Sequence, residues 1–436
     1  MNYLESVDYL KSHIDLESSS IPIAGETDAL SLEPINELLS LLGDPQNSFR
    51  SIHVTGTNGK GSVTKMVGAL LAATDLSVGA FTSPHLLRVN ERITWNGEDI
   101  SNEEFARIVS LIASVSPMVS SKLSWFELVT AIAFVWFSEL GVDIAVVEVG
   151  LLGEHDATNV INSDVAVITN LGKDHTDGLG EWRQTVLAEK AGIIKPQSRV
   201  VLGDDFGELS SIVEGKENQG VVTAHKDFSV DSNLLSVGGR LVDISTPYGR
   251  FEDLFLPFVA SHQAYNFATA LVAVETFFGR KLDKEVVEFA LSQTQLPGRF
   301  QIIETRPVTI VDTFHNAAGA KASYGSLDDA FAKLGSWVLI LGLLEDKFPE
   351  EVTRAIQVDA FDVVICTEPN NPRALPAPKL AELVREAGGD PEVIHSPTDA
   401  IRRAQSLCAD EDLILAGGSF YLVGEILQWV AEKPQE

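Results

Sequence analysis

The residues Gly56-Thr57-Asn58-Gly59-Lys60-Gly61-Ser62 follow the short apolar, β-branched run Ser51–Val54 and precede Val63-Thr64-Lys65-Met66-Val67-Gly68-Ala69-Leu70-Leu71 at helical spacing. Strand, glycine loop and helix in that order make a phosphate-binding loop. It is one residue shorter than GxxxxGK[ST] when counted to Lys60, with an extra glycine before the hydroxyl. Its glycines let backbone N–H groups turn inward around phosphate oxygens, Lys60 brings a point charge to the terminal phosphates, and Ser62 can reach a magnesium ion. The competing reading is a glycine turn with a solvent-facing lysine. Two more residues stand where an apolar run gives out: Glu148 after Asp143–Val147, and His175, with Asp174, shortly after Val165–Asn170. In doubly wound sheets ligands gather at such outgoing strand ends.

These residues need strands alternating with helices to position them, and the sequence supplies the alternation. Strand-like runs recur at Val78–Thr82, Asp143–Val149, Val165–Asn170 and Arg199–Leu202, with helix-like segments Asn102–Ser114 and Phe126–Glu139 between them. This pattern predicts an α/β fold, a P-loop mononucleotide-binding domain with a parallel, doubly wound sheet. From Val221 to Phe258 short alternating segments predict a small antiparallel β insertion, after which helices return at Gln263–Phe278 and Asp283–Ser292. Past Leu296-Pro297-Gly298-Arg299 the alternation restarts at Val308–Asp312, Trp337–Gly342, Val363–Cys366 and Leu413–Ala416, predicting a smaller Rossmann-like domain. The expected domains are residues 1–296 and 298–436, with the Pro-rich piece Asn371–Pro378 as one loop.

The chain of 436 residues carries 62 acidic against 32 basic residues, a formal net charge of −30. That sign disfavours phosphate-backbone and anionic-membrane binding, so neither nucleic acid nor membrane is expected as a partner. A protein so acidic that handles an anionic small molecule must concentrate its positive charge locally, as at Lys60. Cys366 and Cys408 form no CxxC pair, so no zinc site or disulfide framework is implied. The start MNYLESVDYLKSHIDLESSS lacks the pattern of a secretory leader, and a cytoplasmic location is expected.

The loop HVTGTNGKGSVT (His53–Thr64), Thr82-Ser83-Pro84-His85-Leu86, Asn90-Glu91-Arg92-Ile93 and Asn96-Gly97 closely resemble the folylpolyglutamate synthase and dihydrofolate synthase branch of the Mur ligase family. The resemblance continues through Glu148-Val149-Gly150, Asp156-Ala157-Thr158-Asn159, Asp174-His175, Glu189–Ile193, His262-Gln263 with Asn266, Pro297-Gly298-Arg299, Asp312 with His315-Asn316, and Asn371-Pro372-Arg373. It implies an ATP-dependent ligase that adds L-glutamate to dihydropteroate and later to reduced folates through an acyl phosphate, in a cleft between the two domains. It further implies a monomer using ATP as co-substrate, two Mg2+ ions and a possible monovalent cation.

The resemblance assigns roles residue by residue. Thr57, Asn58, Gly59, Lys60, Gly61 and Ser62 bind ATP, together with Asn266, Arg299, Asp312 and His315. Ser62, Ser83 and Glu148 hold one metal ion, and His175 with a carbamylated Lys190 holds the second. An unmodified ammonium cannot ligate a cation, and the competing reading of Lys190 is a surface residue on its helix. Lys60, His175, Lys190 and Arg299 are the implied catalytic set, Arg299 reaching the phosphates from just past the hinge. The acceptor is assigned to Ser124, Trp125, Phe126 and Glu127 and to His155, Asp156 and Ala157. Aromatics there suit a flat ring, and Phe126 reads equally as core.

Three departures bear on the acceptor. Where relatives read close to GLGGRLDATN, this chain has Leu152 for a glycine and Glu154 for the arginine. The stretch Leu32-Glu33-Pro34-Ile35 lacks an arginine common in relatives, and Ala260 replaces a glycine. They keep open a folylpolyglutamate synthase without the first activity; further off stand a Mur-type cell-wall ligase and a non-catalytic nucleotide-binding regulator.

Overall fold

The computed structural model describes residues 1–15, 24–25, 31–174, 176, 178–332 and 334–432. Two compact units divide the chain, the first comprising Met1–Leu234, Leu241–Pro257 and Gln263–Gln295, the second Leu235–Arg240, Phe258–His262 and Leu296–Glu436.

The first unit is built on eight strands: β1 (Arg50–Thr55), β2 (Val78–Phe81), β3 (Ile93–Trp95), β4 (Glu98–Asp99), β5 (Ile144–Glu148), β6 (Val165–Ile168), β7 (Arg199–Leu202) and β8 (Val221–Thr223), in the order β4-β3-β2-β5-β1-β6-β7-β8. From β2 to β8 neighbours are parallel, whereas β3 and β4 add antiparallel at one edge. Every residue of β5 is buried, as continuous apolar strands require when both faces are covered. The helix Trp125–Leu140 is apolar all round and supplies much of one core, with Leu128, Ile132, Phe134 and Phe137 fully buried.

The expected β insertion begins later than its sequence suggested. Val221–Thr223 pairs parallel to β7 and belongs to the main sheet, because its alternation is too short to distinguish a buried edge strand from a hairpin arm. The separate three-stranded sheet is β9 (Ser229–Ser236), β10 (Gly239–Thr246) and β11 (Gly249–Leu256), in the order β11-β10-β9. Two-residue links join its strands, which only antiparallel neighbours permit.

The second unit carries β12 (Gln301–Thr305), β13 (Val308–Asp312), β14 (Trp337–Leu341), β15 (Val363–Cys366), β16 (Pro391–Val393) and β17 (Leu413–Gly417), ordered β12-β13-β17-β14-β15-β16. All pairings but the β12–β13 edge are parallel. The Pro-rich loop ends sooner than expected, since Ala377 starts a helix to Glu386. Among the described residues, no helix is long and apolar enough to cross a membrane.

Candidate functional site

Parallel strands bring their carboxyl ends to one edge of a sheet, and in the first unit that edge collects the polar residues singled out above. Val54 of β1 lies opposite Glu148 of β5, and Phe81 of β2 opposite Val147. The P-loop, Ser83 and Glu148 therefore leave three adjacent strands together. Glu148 is 2% exposed, and its carboxylate accepts the Ser83 N–H at 2.9 Å.

The P-loop takes its shape from the chain after β6. Thr57 N–H donates to the Asn170 carbonyl (3.1 Å), Asn58 N–H to Asn170 Oδ1 (2.9 Å), and Thr169 Oγ1 to the Asn58 carbonyl (2.7 Å). Gly56 and Gly59 have φ of +147° and +82°. A Cβ on Gly56 would collide with the Thr169 hydroxyl, and one on Gly59 would lie 2.5 Å from Asn266 Oδ1. Glycine is thus demanded twice over, by backbone angle and by space. The close approach also places Asn266 against the loop, its amide donating to Gln263 Oε1 at 2.9 Å. The helix Lys60–Ala72 begins with no side-chain cap, leaving its N-terminal dipole to the loop.

Two lysines converge on one carbonyl. Lys60 Nζ donates to the Gly56 and Thr57 carbonyls (3.2 and 3.3 Å), and Lys190 Nζ donates to the same Gly56 carbonyl at 2.8 Å. Lys190 is 2% exposed on the helix Trp182–Ala191. Burial, reinforced by the Lys60 charge and opposed by Asp174, pulls its ammonium down to about 7. Near neutrality a large fraction is free amine. His175 lies outside the described residues. Among the described residues no group of three or more His, Cys, Asp or Glu is arranged to hold a metal ion.

The loop after β5 is held from several sides. Buried Asp156 accepts Leu151 N–H (2.8 Å) and the Thr158 N–H (3.0 Å) and hydroxyl. Burial raises its carboxyl against those bonds. His53, fully buried in β1, meets Thr158 Oγ1 through Nε2 at 2.9 Å. Because that hydroxyl donates to Asp156, His53 donates from Nε2, and burial holds its pKa at about 3, in the neutral form. Leu152 takes the left-handed φ of +56° and is 4% exposed. This is a conformation that glycine adopts without strain and leucine does not. His155 is half-buried and Ala157 opens a 3-10 turn.

Ser124 and Glu127 close a capping box on the helix Trp125–Leu140, Ser124 N–H and Oγ both reaching Glu127 Oε2 at 2.7 Å. The S-x-x-E spacing carries that signal directly. The Trp125 face is covered by the Arg92 guanidinium at 4.6 Å, which also donates to His85 Nδ1 at 2.8 Å. Phe126 packs on Phe81 (centroids 5.8 Å apart) and over Gly150, where a Cβ would come within 2.5 Å of its ring.

In the second unit Asp312 ends β13, and Arg299 donates to Thr313 Oγ1 with its guanidinium 4.6 Å from the Phe420 ring. Burial lifts Asp312 to about 6, opposed by the Ser323 hydroxyl and Arg299. His315 Nδ1 lies 3.1 Å from the Thr313 carbonyl, and its ring faces Phe420 at 5.8 Å.

Residue reading singled out neither Asn170, Thr55 nor His53 as site residues, nor the Arg92–Trp125 stack. For Asn170 a signal existed, since Thr169-Asn170 ends an apolar run as Glu148 does; for Phe420 there was none.

The chain matches two family models, the Mur ligase middle domain over residues 54–274 and the Mur ligase glutamate ligase domain over residues 298–420. It is 36% identical to the dihydrofolate synthase/folylpolyglutamate synthase of Mycobacterium tuberculosis, over 91% of this chain and 87% of that one. The structure of a Mycobacterium tuberculosis folylpolyglutamate synthase complexed with ADP and AMPPCP superposes with a TM-score of 0.90 at 33% identity, covering 99% of each chain. A bifunctional folylpolyglutamate synthase/dihydrofolate synthase with Mn, AMPPNP and L-glutamate bound gives a TM-score of 0.85 at 26% identity, covering 99% and 98%. The chain belongs to the Mur ligase family, in the dihydrofolate synthase/folylpolyglutamate synthase branch of ATP-dependent, amide-bond-forming ligases.

Proposed function

We propose that this protein joins the amine of L-glutamate to the carboxylate of dihydropteroate, and of reduced folates, at the expense of ATP. The observation that carries the reading is the convergence of the P-loop, the Ser83–Glu148 pair and Lys190 at the ends of β1, β2 and β5. A carboxylate is a poor electrophile, so its oxygen first attacks the γ-phosphorus of ATP, breaking the bond to the β,γ-bridging oxygen and releasing ADP. The glutamate amine then adds to the acyl phosphate carbon and expels phosphate through a tetrahedral intermediate. No protein nucleophile is required; positioning and charge neutralisation carry the catalysis.

In this reading the N–H groups that open the helix Lys60–Ala72 cradle the phosphates and Lys60 leaves its own loop carbonyls for their terminal oxygens. Thr57, Asn58, Gly59, Gly61 and Asn266 line the same nucleotide site. Ser62, Ser83 and Glu148 offer hydroxyl and carboxylate oxygens suited to a hard cation, which supplies charge neutralisation when bound. The free-amine form of Lys190, which burial favours, is the form that adds carbon dioxide, with loss of a proton, to give a carbamate, an anionic oxygen ligand for a second ion alongside His175. Arg299, Asp312 and His315 serve the nucleotide from the second unit's sequence, and Arg299→Ala lowers turnover far more than it lowers thermal stability. Magnesium fills both sites, and the protein is a cytoplasmic monomer.

The deciding experiment is glutamate-dependent ADP release by the purified protein with magnesium and ATP, comparing dihydropteroate with tetrahydrofolate. Activity on both supports the bifunctional reading. Activity on tetrahydrofolate alone supports a monofunctional folylpolyglutamate synthase, a reading favoured by the buried Leu152 and by Glu154 in place of a cation. Silence with both removes the two readings together.

A further inference from the structure

We propose that Thr55 is a positioning residue whose hydroxyl, through the Leu152 carbonyl, sets the 151–159 loop against the P-loop and Lys190. The inference rests on the reading that this loop contacts the pteroate acceptor. Thr55 is the last residue of β1, fully buried, and its Oγ1 donates to the Leu152 carbonyl at 2.6 Å. The residue after it is Gly56, whose carbonyl receives Lys190 and Lys60. Thr55 thus stands between the loop on one side and the paired lysines on the other.

The Leu152 conformation explains why such a hold is needed. At φ +56° a leucine Cβ crowds its own carbonyl, and such a backbone persists only where the surroundings over-determine it. Two restraints flank the strain, Thr55 on the carbonyl of Leu152 and Asp156 on the N–H of Leu151 at 2.8 Å. Beyond the strained residue the loop is seated on the helix that carries Lys190. A Cβ on Gly153 would lie 2.5 Å from the Glu189 carbonyl and 3.0 Å from Lys190 Cα. Glu154 N–H donates to that Glu189 carbonyl at 2.9 Å, and the Asn159 amide to the Gly192 carbonyl at 3.1 Å. A displacement of the Leu152 turn therefore shifts both the loop's acceptor-facing residues and the backbone under Lys190.

The test is a set of variants read in two ways. Thr55→Val keeps the shape and removes the donor, and Thr55→Ser keeps the donor. In Thr55→Val the KM for the pteroate acceptor rises about tenfold, as expected when a buried carbonyl loses its partner, while the KM for ATP stays within about twofold. Thr55→Ser restores the wild-type value. Because glycine adopts positive φ without restraint, Thr55→Val made in a Leu152→Gly background raises the acceptor KM by less than about threefold. Hydrogen exchange reads the same restraint without acceptor: amides of 150–159 exchange about tenfold faster in Thr55→Val than in wild type or Thr55→Ser, with β1 and β5 unchanged. Equal loss in both KM values, an unchanged acceptor KM in Thr55→Val, or an undiminished effect in the Leu152→Gly background overturns the proposal. If wild-type protein shows no acceptor-dependent turnover, the functional reading falls, and the exchange of 150–159 alone decides whether Thr55 restrains the loop.

Discussion

Two loops leave neighbouring strands of the same sheet, and each needs left-handed backbone, yet they meet the need differently. In the P-loop, Gly56 and Gly59 take the positive φ values; in the loop after β5, Leu152 does. The contrast follows from what lies beside each Cβ. At Gly56 and Gly59 a Cβ would strike Thr169 and Asn266, groups that themselves shape the loop, so strain and collision would add. At Leu152 the cost is backbone strain, roughly 1–2 kcal/mol, and hydrogen bonds from Thr55 and to Asp156 oppose its relaxation. The P-loop cannot trade its glycines because its neighbours leave no room for a Cβ, whereas the loop after β5 has room for the Leu152 side chain.

The largest effect belongs to the lysine the two loops share. Lys190→Ala lowers turnover at least about a hundredfold, the scale of losing one preorganised electrostatic group, while circular dichroism and ATP binding stay near wild type. Near-normal turnover would detach Lys190 from the chemistry. Gly59→Ala is next: combining left-handed strain with crowding against Asn266, it destabilises by about 2–4 kcal/mol in denaturant titrations and weakens ATP binding. A loss below about 1 kcal/mol would mean Asn266 moves freely and the comparison is misdrawn.

The pH dependence separates the lysine from the loops. With its folded value lowered to about 7 against about 10.4 unfolded, Lys190 binds fewer protons in the native state between those limits. Its burial therefore costs most below pH 7, and stability rises with pH from about 7 to about 10. Lys190→Met flattens that rise in thermal melts, and a rise of unchanged slope would assign it elsewhere. The smallest catalytic effect is expected at the strained residue: Leu152→Gly relieves backbone strain but removes a buried side chain and adds unfolded-state entropy, a net loss of about 1–4 kcal/mol. Its signature is instead a changed ratio of activity on dihydropteroate to that on tetrahydrofolate, and an unchanged ratio would remove Leu152 from acceptor selection.

Much of the molecule is legible in its sequence. Apolar runs alternating with helical spacing announced the two parallel sheets, and the order of glycines, lysine and hydroxyl after β1 announced a phosphate loop, because both patterns are local. Family resemblance singles out Ser83, Glu148 and Lys190, whereas the S-x-x-E spacing of Ser124 and Glu127 is by itself a local signal for the capping box they form. The pattern at Val221–Thr223 predicts a different sheet from the one it joins, because three residues carry too little alternation to choose a partner.

What the sequence determines on its own is therefore the succession of elements and the chemical types delivered at strand ends, which follow from periodicity and spacing. Tertiary structure alone decided that two lysines share the Gly56 carbonyl, that Arg92 occupies the Trp125 face, and that Thr55 holds Leu152. Each of these joins residues 4 to 134 positions apart, and a lysine's pKa or a leucine's strained backbone depends on neighbours that only packing brings within hydrogen-bond reach.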